Sequence, residues 1–257
     1  MTTMDSIDID LIQNQLPNNS GCHWVETTNS TQTEVKPNSL LIAEHQSAGV
    51  GRRGNQWLAA KGRSICMSYR FTLPLPAAQM AGYQITTALA IVNTIDAYEP
   101  EATVQLKWPN DLYHGGEKFA GILINLIPKQ KLTEVIVGIG LNWQLTAAQL
   151  ESIDQAVCNV PLPQIALNQT PSRSQFIAQL ARHIESHNQQ FVQQGLAGFL
   201  SQWHKHDYLL NQMIEVSGMQ QLETGIYQGI NQQGELLLLT PQGIKTFCSG
   251  EVSVKAV

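Results

Sequence analysis

A chain of 257 residues with 43% hydrophobic and 14% charged residues has enough apolar material for a sizeable core. Its net charge of −5 argues against non-specific coating of nucleic acid or of an anionic membrane. Four widely separated cysteines (Cys22, Cys66, Cys158, Cys248), no basic-then-apolar leader and no long apolar run together read as a cytoplasmic protein. They exclude a disulfide scaffold and a membrane span.

In chain order, apolar alternation predicts strands over 23–27, 39–45 and 64–71, then a helix over 77–98, then strands over 103–108, 119–127 and 134–143. Residues 144–171, rich in Gln, Ala and Pro, have weak periodicity and read as a functional or mobile loop. Helices are expected over 172–195 and 196–206. From Asn211 onward, short strands punctuated by Ser217-Gly218, Gln233-Gly234 and Gln242-Gly243 predict a small β-barrel, too small to enclose a ligand and so expected to support or to contact a partner. The fold class is α+β with a mixed, mainly antiparallel sheet, divided into a larger unit over 1–209 and a barrel over 210–257.

The stretch SAGVGRRGNQW has Gly49-x-Gly51-x-x-Gly54, the spacing of a dinucleotide-binding turn. That turn needs a helix directly after it and an acid roughly 20 residues on to hold a ribose. Neither is present: no Asp or Glu occurs between Glu44 and Asp96, while Arg52, Arg53, Lys61, Arg63 and Arg70 all do. The loop is therefore read as a flexible backbone with two guanidinium forks for a carboxylate or phosphate. A second constellation is Lys107-Trp108-Pro109-Asn110-Asp111, followed by a Gly115-Gly116 turn and Lys118. Trp-Pro implies extended backbone, and the hairpin gathers cations, an amide and a candidate metal-binding carboxylate. His204 and His206, two apart, face different sides of a helix, and His183 and His187 lack a third ligand, so neither pair is read as a metal site. A Gly-x-Ser-x-Gly elbow is missing, which argues against a serine hydrolase.

AEHQSAGVGRRGNQW, KWPNDLY followed by KFAGIL, and GIGLNW resemble, in order and spacing, the three signature blocks of biotin protein ligases. The resemblance covers the chain from about residue 21. It implies a class II synthetase-like catalytic domain followed by an SH3-like barrel. The implied activity is activation of biotin with ATP to biotinyl-5′-AMP, then transfer to a lysine of a biotin carboxyl carrier protein. Carried over residue by residue, it implies biotin contacts from Thr27, Thr28, Asn29, Gln46, Gly49, Val50, Gly51, Arg52, Lys118 and Gly121. It implies ATP contacts from Arg52, Arg53, Trp57, Lys107, Asn110, Asp111, Lys118 and Asn142. Arg52, Arg53, Lys107 and Lys118 would be the catalytic cations, with Asp111 toward Mg2+. Val50 stands where many bacterial relatives have arginine, and Thr27 where serine is usual. About 20 residues precede the first pocket strand, fewer than a DNA-binding domain needs, so no operator binding is expected, and either a monomer or a homodimer is compatible. The rival readings are a lipoate or octanoate ligase or transferase, and a biotin-sensing module without catalysis.

Overall fold

The computed structural model describes residues 5–162, 171–218, 222–250 and 252–256. Its larger sheet contains β1 (Gly21–Thr28), β2 (Ser39–Gln46), β3 (Ser64–Leu73), β4 (Gln105–Lys107), β5 (Asp111–His114), β6 (Glu117–Pro128) and β7 (Thr133–Asn142). The strand order is β1-β2-β3-β7-β6-β5-β4; β1 and β2 run parallel, and every other neighbouring pair is antiparallel. Strand alternation gives this sheet two different faces. Ile65, Met67, Tyr69 and Phe71 of β3 and Val135, Val137, Ile139 and Leu141 of β7 belong to the main core. The residues between them, including Ser68, Gly138, Gly140 and Asn142, turn to the opposite side.

Helices α1 (Ile9–Gln13), α3 (Tyr83–Asp96) and α5 (Arg173–Gln194) cover the apolar face. α3 is shorter than the expected 77–98. Pro76 begins a separate 3-10 turn over 77–79, and Gly82, at φ 76°, intervenes before α3 starts. α5 starts with a capping box: Ser172 and Gln175 each satisfy the other's backbone N–H. The expected loop over 144–171 contains α4 (Ala147–Glu151), capped by Thr146. It then runs extended, with Lys118 N–H on the Ala156 carbonyl at 3.1 Å and Val160 N–H on that of Asn142 at 2.8 Å. Residues 163–170 of it lie outside the described residues.

α6 (Leu200–His206) leads into a second, antiparallel sheet of β8 (Met213–Ser217), β9 (Leu222–Ile230), β10 (Leu236–Thr240), β11 (Gly243–Phe247) and β12 (Ser253–Ala256), ordered β11-β10-β9-β8-β12. Glu251, expected to start the last strand, lies outside the described residues. The two sheets share one core. Ile214, Val216, Tyr227, Leu236 and Leu238 join the cluster that also holds Trp203 and Leu209. Trp108 Nε1–H donates to the Gly234 carbonyl at 3.0 Å. Asp207 accepts from Trp203 Nε1 at 3.0 Å and from the Tyr227 hydroxyl at 2.9 Å. Burial nevertheless raises the Asp207 carboxyl to about 6.

Between α3 and α5, His187 is 7% exposed and bonds Thr86 O through Nδ1 at 2.9 Å and Asn93 Nδ2 through Nε2 at 3.0 Å. A carbonyl on one nitrogen and an amide donor on the other fix the neutral, Nδ1-protonated ring. Burial lowers its pKa below the ordinary 6.5. The unfolded chain therefore binds the extra proton more readily, so this contribution to stability is present above about 6.5 and is lost as pH falls below it. Thermal melts from pH 7.5 to 5.0 should show a steeper acid loss for the wild type than for His187→Gln. Parallel curves would remove the histidine from the account.

Candidate active site

Register places one row of residues across five strands of the larger sheet's open face. Cys66 of β3 pairs with Gly140 of β7, Gly140 with Gly121 of β6, Gly121 with Asp111 of β5, and Asp111 with Lys107 of β4. Two adjacent glycines thus form a flat floor, bordered on one side by a carboxylate and an ammonium group. Above this row is a cavity of about 610 Å3, well within the size range of small-ligand sites.

The loop over 49–57 closes over the cavity as a tight hairpin. Val50 bridges Gln56, Trp57 N–H donates to Gly49 O at 2.9 Å, and Gly51 N–H to Asn55 O at 2.7 Å. At its tip Arg53 adopts the left-handed conformation (φ 57°), as does Gly54 (φ 79°). Such a conformation is costly for arginine and marks a turn held by its surroundings. The Trp57 indole rests on the glycine floor: a Cβ at Gly140 would fall 2.3 Å from its ring, and one at Gly121 3.2 Å.

The cations are already engaged. Arg52 Nη1 donates to Asn110 Oδ1 at 3.0 Å, and its Nη2 donates to the Ser249 carbonyl beyond β11. Lys118 Nζ lies 2.8 Å from Asp111 Oδ1, an ion pair, and 5.7 Å from the Trp57 ring centroid. Lys107 Nζ stands 5.3 Å over the Tyr113 ring. Burial lowers the pKa values of both Arg52 and Lys107. Asp111 opposes both shifts, while Arg53 adds to the first and Lys118 and Lys255 add to the second. The field around the row is therefore positive and partly dehydrated, as an anion site needs.

Of the residues singled out in the sequence, Gln46, Val50, Gly51, Arg52, Arg53, Trp57, Lys107, Asn110, Asp111, Lys118, Gly121 and Asn142 line this cavity. Thr27, Thr28, Asn29 and Gly49 do not. Thr27 and Asn29 are exposed, and Thr28 is buried with its hydroxyl outside any hydrogen bond. The carbonyls of Thr28 and Asn29 instead hold the start of the loop, accepting from Ser47 N–H at 3.0 Å and Ala48 N–H at 2.9 Å. Gly49 closes the loop: a Cβ there would meet Trp57 O at 2.6 Å.

The polar wall comes from three residues further along, Ser30, Thr31 and Gln32, at the start of α2 (Thr31–Glu34). Gln46 Oε1 accepts from Thr31 N–H at 2.8 Å and from Thr31 Oγ1 at 3.1 Å. Ser68 Oγ lies 2.8 Å from Thr31 Oγ1 and 2.9 Å from Gln32 Oε1. The signal in the sequence was the serine itself: Ser30-Thr31-Gln32 has the hydroxyl–hydroxyl–amide order with the serine that Thr27 lacks. Two further walls were not foreseen. Asp154, Gln155 and Val157 come from the segment read as a loop, and Val252, Ser253 and Val254 come from the second sheet. The C-terminal unit, expected to stand apart from the chemistry, borders the cavity and touches Arg52.

Residues 22–142 match the Biotin/lipoate A/B protein ligase family, and residues 209–255 match the Biotin protein ligase C terminal domain. The bifunctional ligase/repressor BirA of Escherichia coli is 30% identical over 224 residues, covering 87% of this chain and 68% of that protein. The chain belongs to the biotin protein ligase family. It is a ligase, as the resemblance implied, with the mixed sheet and small C-terminal sheet of that fold. The biotin--[acetyl-CoA-carboxylase] ligase of Paracoccus denitrificans is 27% identical over 237 residues, 88% of the ligase described here and 96% of its own length. The biotin protein ligase from Aquifex aeolicus, solved in complex with biotin and ATP, superposes with a TM-score of 0.75 at 23% identity. It covers 92% of the present ligase and 99% of its own chain, a likeness of fold. Among the described residues, no helix is long and apolar enough to cross a membrane.

Proposed function

We propose that the cavity joins biotin to ATP and then passes the biotinyl group to a lysine of a biotin carboxyl carrier protein, in the cytoplasm. The observation that carries this reading is the gathering of the arginine loop, the Lys107–Asp111 hairpin and the glycine floor around one hollow. In the first half-reaction an oxygen of the biotin carboxylate attacks the α-phosphorus of ATP and pyrophosphate leaves. Two anions must meet, so fixed cations in a water-poor site lower the barrier. Arg52, Arg53, Lys107 and Lys118 take that role in this proposal. Ser30, Thr31, Gln32 and Gln46 supply directional polar groups, in place of the Thr27–Asn29 set. Trp57 and the loop backbone from Gly51 onward keep water from the mixed anhydride. In the second half-reaction the neutral amine of the carrier lysine attacks the acyl carbon, AMP leaves, and an amide forms. The catalytic unit would span 1–209 and the C-terminal unit 210–257.

The donor set fits Mg2+. No group of three metal-ligating side chains occurs among the described residues, while Asp111 offers a hard carboxylate oxygen at the cavity, held 2.8 Å from Lys118 Nζ. Mg2+ commonly takes one or two carboxylates and completes its shell with phosphates and water. Asp111 would hold the ion, which when bound neutralises charge on the departing pyrophosphate.

ATP–pyrophosphate exchange, run with biotin and then with lipoate, followed by transfer to a purified carrier domain, tests the reading. Biotin-dependent exchange and transfer are expected. Exchange with lipoate alone would make the enzyme a lipoate ligase, and biotin binding without exchange would make it a sensor. A related expectation concerns Arg52, which ties the loop to Asn110 and Ser249. Arg52→Gly should free the loop and release biotinyl-5′-AMP, raising biotin labelling of unrelated proteins above the wild-type level. Labelling at or below that level would take the retention role away from Arg52.

A further inference from the structure

β3 has a second hollow on its other side. Ser68 faces the catalytic cavity, whereas Tyr69, Phe71 and Leu73 line a separate space of about 530 Å3 beneath α5. Phe71, Leu73 and Val192 give it an apolar side, while Asn19, Asn188, Gln189 and Gln193 make the rest polar. Its single ionisable carboxylate is Glu185, on α5. That carboxylate accepts a 2.6 Å hydrogen bond from the Tyr69 hydroxyl, which also lies 3.4 Å from Ser20 Oγ. Among the described residues Glu185 has no ion-pair partner. Burial raises its pKa, and the Tyr69 bond opposes that shift. A half-buried carboxylate gains from a paired cation, and structural cases supply one from the chain. Here the chain supplies none, and the space beside the carboxylate is large enough to admit one from outside.

We propose that this cavity binds a small alkylammonium compound, with its charged head on Glu185 and its hydrocarbon body against Phe71, Leu73 and Val192. An anion would face Glu185 directly, and a neutral alkyl compound would bury the carboxylate further without pairing it. Walls and volume suit an organic amine better than a bare metal ion, since only one carboxylate faces the space.

Isothermal titration of the full chain with n-hexylammonium chloride, n-hexanol and sodium hexanoate tests this. Saturable one-site binding is expected for the ammonium compound, at least tenfold tighter than for the alcohol or the carboxylate. It should strengthen as pH rises through the titration of Glu185, because the amine stays charged over that range. Glu185→Gln keeps an acceptor for Tyr69 and should weaken hexylammonium binding by at least tenfold with an unchanged melting temperature. Asp111→Asn, in the catalytic cavity, should leave it unchanged. Absence of saturable binding, equal binding of the alcohol, insensitivity to Glu185→Gln, or loss with Asp111→Asn alone would each overturn the assignment.

Discussion

Lys118→Ala is expected to lower the rate of biotin adenylation by about 10²–10³-fold, the usual effect of removing one fixed donor from a developing negative charge. Lys118 is placed for this by the hairpin: the Gly115-Gly116 turn, with φ of 59° and 83°, returns the chain so that β6 carries it beside Asp111. Its backbone is pinned from both sides, N–H to Ala156 O and carbonyl to Cys158 N–H, each at 3.1 Å. The side chain can then exchange Asp111 for a substrate oxygen without moving the strand. The pair is mostly buried, its side chains 15% and 24% exposed, so the variant also leaves Asp111 without its cation and the melting temperature should fall as well. Single-turnover formation of biotinyl-5′-AMP, measured beside a thermal melt, separates the two effects. A rate within threefold of wild type would remove Lys118 from the chemistry.

The largest loss of stability should come from Arg173→Ala, about 3–5 kcal/mol. Arg173 is 2% exposed at the start of α5. Its guanidinium donates to Glu44 Oε2 at 2.7 Å, Glu44 Oε1 at 3.0 Å, Asp5 Oδ1 at 2.8 Å and the Asp5 carbonyl at 2.6 Å. Glu44 itself is 8% exposed and accepts from Trp24 Nε1 at 3.3 Å. Removing the arginine strands a buried carboxylate on β2, two residues before Gln46. Urea unfolding should show the loss for Arg173→Ala. The double variant Arg173→Met with Glu44→Gln should recover most of it, because the buried charge is gone and Asp5, the other partner, has a side chain 34% exposed to water. Equal loss in both would mean that packing, not charge, sets the cost.

The elements legible in the sequence were those whose pattern extends over many residues. β2, β3, β6 and β7 are apolar-rich runs of eight residues or more, and α5 has both its periodicity and its capping serine in plain view. β5 escaped because it is four residues long and contains Asp111 and His114, poor strand formers held there by pairing with β6. The tryptophan–proline step was read as extended backbone; its peptide bond is cis. In the site, residues within one motif were legible because their order is local. Ser30–Gln32 and residues 153–157 were not, since what brings them to the cavity is hydrogen bonding to Gln46, Ser68, Lys118 and Asn142, partners far away in sequence. The contact of Ser249 with Arg52 spans 197 positions and involves a backbone carbonyl, which no side-chain pattern reveals.

The glycine row inverts the ordinary relation between exposure and tolerance to mutation. Gly138 and Gly140 lie on the open side of the sheet and are only partly buried, so a substitution scan ranked by accessibility would pass them as permissive. Yet a methyl group at Gly140 would fall 2.3 Å from the Trp57 ring, which would have to move, whereas one at Gly138 would meet only the movable end of Gln32. Gly140→Ala should therefore cost stability much as overpacking the fully buried Val135 or Val137 on the opposite face would, about 1–3 kcal/mol. Tolerance along this strand would then follow what rests on each residue, not how much solvent reaches it.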